Sequence, residues 1–372
     1  MRYDVAILGG GLAGLSLSID LKRRGYTVIV IEKGEYPRHK VCGEYISMES
    51  HEYLFGLCPA LTNYELPFIS QFKLSSTGGL EFQTRLDLGG FGISRYLLEE
   101  QLFEEAGRQG VVFMLNSKAY ETHYNVIEED HTIISSKGEF KARVVCNATG
   151  RKSNFETSDK QTRIKGSNYI GVKYHVRLDR DPGFVEIHNF PGGYCGVSSI
   201  EDNKTCLCYI VNSKKLNSVG NSIPELEKVY LFKNKRLRKL FTQAEFLLKD
   251  PLTISGINFN IKRPATENFF NLGDAAGSIA PVTGNGMSIA LRSASVLASL
   301  VDSYFSKQIS RQQLVQNYTG FWNKEFSTRV KLSRHFQKLS ESPFLANLSL
   351  GLFKPFPSLA KSMIRHTHGA PF

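Results

Sequence analysis

The first 33 residues, MRYDVAILGGGLAGLSLSIDLKRRGYTVIVIEK, restrict the chain to very few folds. Tyr3 to Leu8 is a short apolar run of the length of a buried parallel strand. Gly9, Gly11 and Gly14 follow with the spacing G-x-G-x-x-G, and Leu15, Ile19 and Leu21 continue as a helix pattern. Gly25 closes that helix, Thr27 to Ile31 reads as a second strand, and Glu32 ends it with a carboxylate. The glycines have separate tasks: a tight turn, close approach of backbone to a diphosphate, and close packing of helix on strand. The helix N-terminus then offers free N–H groups and a positive dipole end to an anion. Glu32 stands where an acid accepts ribose hydroxyls. A glycine triplet alone marks only a tight loop; strand, glycines, helix, strand and acid in register mark a dinucleotide site.

A distant segment says which dinucleotide. From Phe269 the sequence reads FFNLGDAAGSIAPVTGNGMSIALRSASVLASLV. Phe269 to Leu272 reads as a strand, Gly273 as a turn, and Asp274 as a carboxylate at its tip. Pro281, Gly284, Asn285 and Gly286 form a second loop, which opens a long helix from Met287. A nicotinamide dinucleotide has no need of such a loop. A flavin dinucleotide does, because its ribityl chain and ring extend away from the first glycine loop. Asp274 suits ribityl or ribose hydroxyls, and the N–H groups opening the helix suit the N1/O2 edge of the ring, negative when reduced. The plainer alternative is a Gly-Asp turn before an ordinary core helix.

A third segment, VVCNATGRKSNF (Val144 to Phe155), is an apolar strand ending in Ala148-Thr149-Gly150, followed by Arg151 and Ser153. With ISRYLLEEQL (Ile93 to Leu102) and the two glycine loops, it resembles the flavoprotein superfamily of aromatic hydroxylases, geranylgeranyl reductases and flavin-dependent halogenases. The resemblance covers most of the chain and implies FAD, with Arg95 near its diphosphate and Asp274 at its ribityl region. The cofactor set is Gly9, Gly11, Gly14, Glu32, Lys33, Arg38, Arg95, Ala148, Gly150, Gly273, Asp274, Pro281, Gly284, Asn285, Gly286 and Met287. PRHKVCGEYIS (Pro37 to Ser47) is most similar to the geranylgeranyl reductase branch, where a Cys-Gly pair lies near the flavin. FPGGYCGVSS (Phe190 to Ser199) resembles that branch's substrate-domain strand, with Cys195, Gly196 and Val197 in place of its tryptophan and Phe-Pro pair. Thr149-Gly150 replaces the Asp-Gly of the hydroxylases, which argues against their handling of NADPH. The sole tryptophan is Trp322, so the halogenase tryptophan motif is absent and halogenation is not expected.

These motifs imply an α/β protein: a Rossmann-type FAD domain with a parallel sheet, an antiparallel-sheet substrate domain and C-terminal helices. Residues 1–150 and 265–300 form the FAD domain, and 301–372 the helical region. Residues 155–264, where YIGVKYHVRL, GFVEIHNF, YCGVSSI and TCLCYIVN alternate with period two, and 43–90, read as a mixed insertion at the same cleft, form the substrate domain. The sequence opens on a core strand, so no signal peptide is expected. No apolar run reaches the ~18 residues of a membrane span. Six cysteines show neither pairing ladder nor metal spacing, so a cytoplasmic protein without a metal is expected, with Cys206 and Cys208 as small buried hydrophobes.

The net charge of +11 is dispersed, which excludes a nucleic-acid face. KVYLFKNKRLRKLF reads as one amphipathic helix carrying Val229, Phe232, Leu237 and Leu240 on one side. Its basic side is either simply solvated or attractive to an acidic carrier, an electron-donor protein or an anionic membrane surface. NLSLGLFKPFPSLAKSMI near the C-terminus either closes the core or covers a substrate tunnel and touches lipid.

Chemistry falls to the flavin. Cys42, Glu44 and Tyr194 are the candidate catalytic residues, with Tyr45 nearby. In an apolar cleft Glu44 would have a raised pKa and donate a proton; alternatively the Cys-Gly-Glu turn only shapes the loop. His175, His188 and His335 read as structural. The first reading is an FAD-dependent reductase or dehydrogenase acting on an apolar, prenyl or polyketide-like substrate. The second is a flavin monooxygenase acting on an aromatic or polyene substrate, and the third a non-catalytic prenyl-binding escort. No second G-x-G-x-x-G is present, so NAD(P)H visits transiently or a protein supplies electrons.

Overall fold

The computed structural model describes residues 2–372 apart from 152–154, 156–168, 258, 260–261, 268, 281 and 283. The first half of the chain runs β1 (Arg2–Leu8), α1 (Leu12–Arg23), β2 (Val28–Ile31), β3 (Tyr45–Ser47), α2 (His51–Leu57), β4 (Phe68–Ser75), β5 (Glu81–Gly92) and α3 (Arg95–Arg108). Strands β6 (Val112–Met114), β7 (Ala119–Asn125), β8 (Asp130–Ser135) and β9 (Gly138–Asn147) follow. Then come β10 (Tyr169–Arg177), β11 (Phe184–Phe190), β12 (Gly193–Ile200) and β13 (Lys204–Asn212). The next elements are α4 (Ser213–Asn217), α5 (Ile223–Val229), α6 (Lys235–Gln243), β14 (Glu245–Phe246), β15 (Leu252–Ile257) and β16 (Phe270–Asn271). Four helices end the chain: α7 (Gly286–Phe305), α8 (Arg311–Glu341), α9 (Pro343–Phe353) and α10 (Pro357–Thr367).

The first sheet has the order β6-β2-β1-β9-β8-β7, with β16 beside the end of β9. β1 runs parallel to β2 and to β9, and β16 joins in parallel at Phe270 opposite Cys146. Residues 270–271 thus complete a sheet begun by residues 2–8. Strands buried on both faces read as unbroken apolar runs. Here Val5, Ile7, Val28 and Val30 pack on the side of α1 and α7, while Ala6, Leu8, Ile29 and Ile31 pack on the other with Ile133 and Val145.

The second sheet has the order β14-β10-β13-β12-β11-β4-β5-β3, with β15 on β10. β4 and β11 are parallel, while β10, β12 and β13 form an antiparallel meander with their neighbours. Residues 45–92 and 169–257 therefore share one sheet. Alternation along β10 assigns its faces. Ile170, Val172, Tyr174 and Val176 pack under Leu226, Leu231, Leu237 and Phe241, and Lys173 and His175 point the opposite way, toward the 40–44 loop.

The expected single helix over KVYLFKNKRLRKLF is two helices and a 3-10 turn. Asn234 breaks it because its side chain accepts the Arg236 N–H at 2.9 Å and caps α6. Val229 is exposed, and the side chains that reach the core are Leu226, Leu231, Leu237 and Phe241. α8 buries Tyr318, Trp322 and Phe326 against the first core, and α9 and α10 lie over β5 and β11.

Candidate active site

The three glycines differ in what surrounds them. Gly9 has φ +100°, and a Cβ there would lie 2.6 Å from the Ala148 carbonyl oxygen. A Cβ on Gly14 would lie 2.1 Å from the Gly9 carbonyl oxygen, so this glycine lets α1 pack on the strand and does not face the cavity. A Cβ on Gly11 would meet only Lys40 Nζ, at 3.3 Å. Gly11 is the N-cap of α1 and has no side-chain cap, which leaves the first N–H groups of the helix for a ligand.

At the end of β2, Glu32 Oε2 accepts the Gly10 N–H at 2.7 Å, and Oε1 accepts the Gly34 N–H at 3.0 Å. Arg38 Nη1 lies 2.6 Å from Oε1. Burial alone would raise this carboxyl, but Arg38 and the two N–H groups hold it at about 2. Glu32 is a fixed anion with lone pairs left for a ribose.

One cavity of about 1010 Å³ runs from this loop across the molecule. Its polar end is lined by Gly9, Gly11, Glu32, Lys33, Arg38, Arg95, Ala148, Gly150, Gly273 and Asp274. Arg38 Nε, 3.5 Å from Glu99 Oε2, and Arg95 Nε are buried there with no hydrogen bond among the described residues. Two guanidinium N–H groups without a hydrogen bond and an open glycine turn fit a diphosphate. Gly273 has φ +52°, a left-handed turn that suits glycine and presents Asp274, whose carboxylate is 3.7 Å from Arg151 Nε. Further along, Gly284, Gly286 and Met287 line the wall where α7 begins. A chain of donors from one helix N-terminus to another fits the length of FAD.

Two members of the cofactor set need comment. Pro281 lies outside the described residues. Asn285 is fully buried and absent from the cavity wall: its Nδ2 donates to the Thr367 carbonyl, so the side chain anchors the end of α10.

Glu44 departs from expectation. It is fully buried with φ 56°, and it pairs with Lys173 Nζ, with His175 Nε2 at 2.6 Å, and with the Arg95 N–H at 2.7 Å. Burial would raise its pKa, but Lys173 and His175 pull it down to about 2. Glu44 is therefore an anion at neutral pH, and the expected proton donor is not found at this carboxyl. Glu44, His175 and Cys206 bring possible metal ligands within 4.8 Å of one another. The Lys173 ammonium already neutralises Glu44 there, which opposes a second cation. A neighbouring network joins Arg95 and Lys40 (2.8 Å) to Glu99, itself fully buried.

The sequence reading missed Lys173, Lys40 and Glu99. A signal for Lys173 existed: in YIGVKYHVR it stands two residues from His175 on a strand that is otherwise apolar, so both must share a face. His188, by contrast, is held by Ser75 Oγ at 2.7 Å and lies outside the cavity wall, and His335 is exposed and bonded to its own helix.

Cys42 lines the cavity with its Sγ 3.8 Å from Met287 Sδ. Tyr194 lines it from β12. Its hydroxyl is buried with no hydrogen-bond partner among the described residues, and burial pushes the phenol well above its usual range. It is a neutral donor aimed into a site that gives it nothing to bond. Beyond it the walls are Phe72, Leu74, Phe82, Val185, Ile187 and Ile210, roofed by Leu350 and Phe353 of α9 and Ile364 of α10.

Comparison with known proteins accords with this geometry. The family described as FAD binding domain matches residues 4–41. Conditioned medium factor receptor 1 of Dictyostelium discoideum is 24% identical over 89% of this chain and 69% of its own length. A digeranylgeranylglycerophospholipid reductase of Methanococcus vannielii is 22% identical over 96% of this chain and 97% of its own. The ubiquinone hydroxylase UbiL of Rhodospirillum rubrum is 24% identical over 79% and 71%. Among solved structures, the flavin-dependent brominase Bmp2 superposes with a TM-score of 0.78 at 17% identity, covering 98% of this chain and 93% of that one. PqsL of Pseudomonas aeruginosa, solved with 2-aminobenzoylacetate, gives 0.74 at 16% identity over 95% and 100%. No described helix is long and apolar enough to cross a membrane. The resemblance drawn from four segments is borne out: residues 4–41 match an FAD binding domain, the chain is similar along most of its length to these reductases and hydroxylases, and it shares the fold of the brominase and PqsL.

Proposed function

We propose that the chain is an FAD-dependent reductase or dehydrogenase acting on an apolar substrate of prenyl or polyketide-like type. The continuous cavity carries this reading: a polar arm that fits FAD opens into a chamber walled by Phe72, Phe82, Ile187 and Ile210. Each CH₂ buried there is worth about 0.8 kcal/mol, so a long hydrocarbon gains affinity without polar contacts. Bound FAD supplies the electron chemistry. The chain would hold it through the α1 N-terminus, Arg38 and Arg95 at the diphosphate, Glu32 at a ribose, Asp274 at the ribityl hydroxyls, and the α7 N-terminus at the ring. Tyr194 would donate a hydrogen bond, or a proton, at the substrate side, and Cys42 would shape the passage beside Met287. The reductant is either transient NAD(P)H or a protein donor, because the sequence has no second dinucleotide loop.

A second reading, monooxygenation, is favoured by the likeness to the ubiquinone hydroxylase over most of the chain. Photoreduction under argon followed by rapid mixing with dioxygen separates the two. Return of the oxidised spectrum in a single phase supports the reductase. A distinct absorbing phase before the oxidised spectrum, with label from ¹⁸O₂ in a product, overturns it in favour of the monooxygenase.

A further inference from the structure

The helices that roof the cavity turn a second face outward. On α9, Ala346 and Leu350 are buried and line the cavity with Phe353. On the opposite side Phe344, Leu348 and Leu352, spaced by four, are 73, 53 and 47% exposed. Phe356 and Leu359 continue the patch at the start of α10, at 59 and 45%. The core accounts for the first face and leaves the second without a partner among the described residues.

Along this segment itself the formal charge has one sign. From Ser342 to Phe372 the sequence holds Lys354, Lys361 and Arg365 and no Asp or Glu. Arg365 pairs with Asp87 at 2.8 Å, while Lys354 and Lys361 are exposed beside the apolar stripe. At about 1.5 Å per residue, α9 is roughly half as long as a bilayer core is thick, so it can lie in an interface but not span one. A second copy of the chain would bring like charges together at this face.

We propose that the outer face of α9 and the first turn of α10 docks on an anionic lipid surface. Phe344, Leu348, Leu352 and Phe356 enter the acyl boundary, and Lys354 and Lys361 meet the headgroups. Because the inner face of the same helix lines the cavity, docking would leave the apolar chamber one helix away from the bilayer. That consequence rests on the proposed apolar substrate; the docking itself does not.

The test is flotation of the FAD-loaded protein with phosphatidylcholine vesicles, with and without phosphatidylglycerol. Protein is followed by its own absorbance and FAD by its visible colour. Flotation with the phosphatidylglycerol vesicles is expected, weakened by salt and by omission of the anionic lipid. The triple change F344S/L348S/L352S and the charge reversal K354E/K361E should each lower the bound fraction roughly tenfold or more with FAD content unchanged. Wild-type protein that stays with the unbound fraction, or a serine variant that floats equally well, overturns the proposal. So does a dimer on gel filtration that the serine variant converts to monomer, which would assign the face to a second copy. A colourless protein that still floats defeats the flavin reading and leaves the docking intact.

Discussion

Gly11 and Gly14 belong to one motif but would respond differently to substitution. A Cβ at Gly14 collides with the Gly9 carbonyl, whereas one at Gly11 enters the cavity where the proposed FAD diphosphate would lie. Gly14→Ala should therefore destabilise the protein even without cofactor, by about 1–3 kcal/mol in a denaturant titration. Gly11→Val should leave apo stability nearly unchanged and abolish FAD uptake, read by flavin absorbance after gel filtration. Glu44 makes a second residue-scale case. Glu44→Gln leaves the Lys173 ammonium buried opposite a neutral group, which should cost about 3–5 kcal/mol at pH 7, and Glu44→Gln with Lys173→Met should recover most of it. The folded carboxyl titrates at about 2 against a usual 4.5. Its contribution is thus complete above pH 4.5 and lost as the pH falls toward 2. The stability gap between wild type and Glu44→Gln should close over that range in urea titrations. The Cys-Gly-Glu segment gave no sign of this in sequence, because the partners that fix its charge come from β10, about 130 residues away.

At the scale of elements, local pattern was most informative where a segment completes its own geometry. The β1-α1-β2 unit was legible because its glycines answer to local geometry: Gly9 has a positive φ and Gly14 must clear the Gly9 carbonyl. The Gly-Asp turn was legible for the same reason, since Gly273 needs a positive φ. Asp274→Ala should weaken FAD binding by about 1–3 kcal/mol in a fluorescence titration, through loss of a charge-assisted hydrogen bond. An unchanged affinity would reduce this loop to a structural turn. The basic segment after Lys228 was misread because Asn234 looks like an ordinary polar position on a helix surface. It is a cap because its Nδ2 also bonds the Asn189 carbonyl at 3.0 Å, across the sheet, which fixes where α6 must begin. Asn285 was misread in the same way: adjacency to two glycines suggested the flavin, and the buried end of α10 claimed the side chain.

For the molecule as a whole, the cavity belongs to neither sheet alone. Its walls come from β1, the 38–45 loop, β4, β10 to β13, α7 and the C-terminal helices, so a bound dinucleotide would contact segments that are far apart in sequence. FAD should accordingly stabilise the folded chain by about 2.7 kcal/mol at a hundredfold excess over its dissociation constant, seen as a rise in melting temperature that AMP alone reproduces only in part. No rise with FAD would count against the cofactor.

Sequence alone determined the α/β class, the dinucleotide loop and the joining of two remote segments in one sheet. Those depend on short spacings, glycine conformation and strand periodicity, which are written residue by residue. Only the tertiary structure decided the charge state of Glu44, the orphaned hydroxyl of Tyr194 and the two-faced roof over the chamber. Each of these is set by what a distant element brings within a few ångströms, and in a low-dielectric interior those neighbours outweigh any local preference.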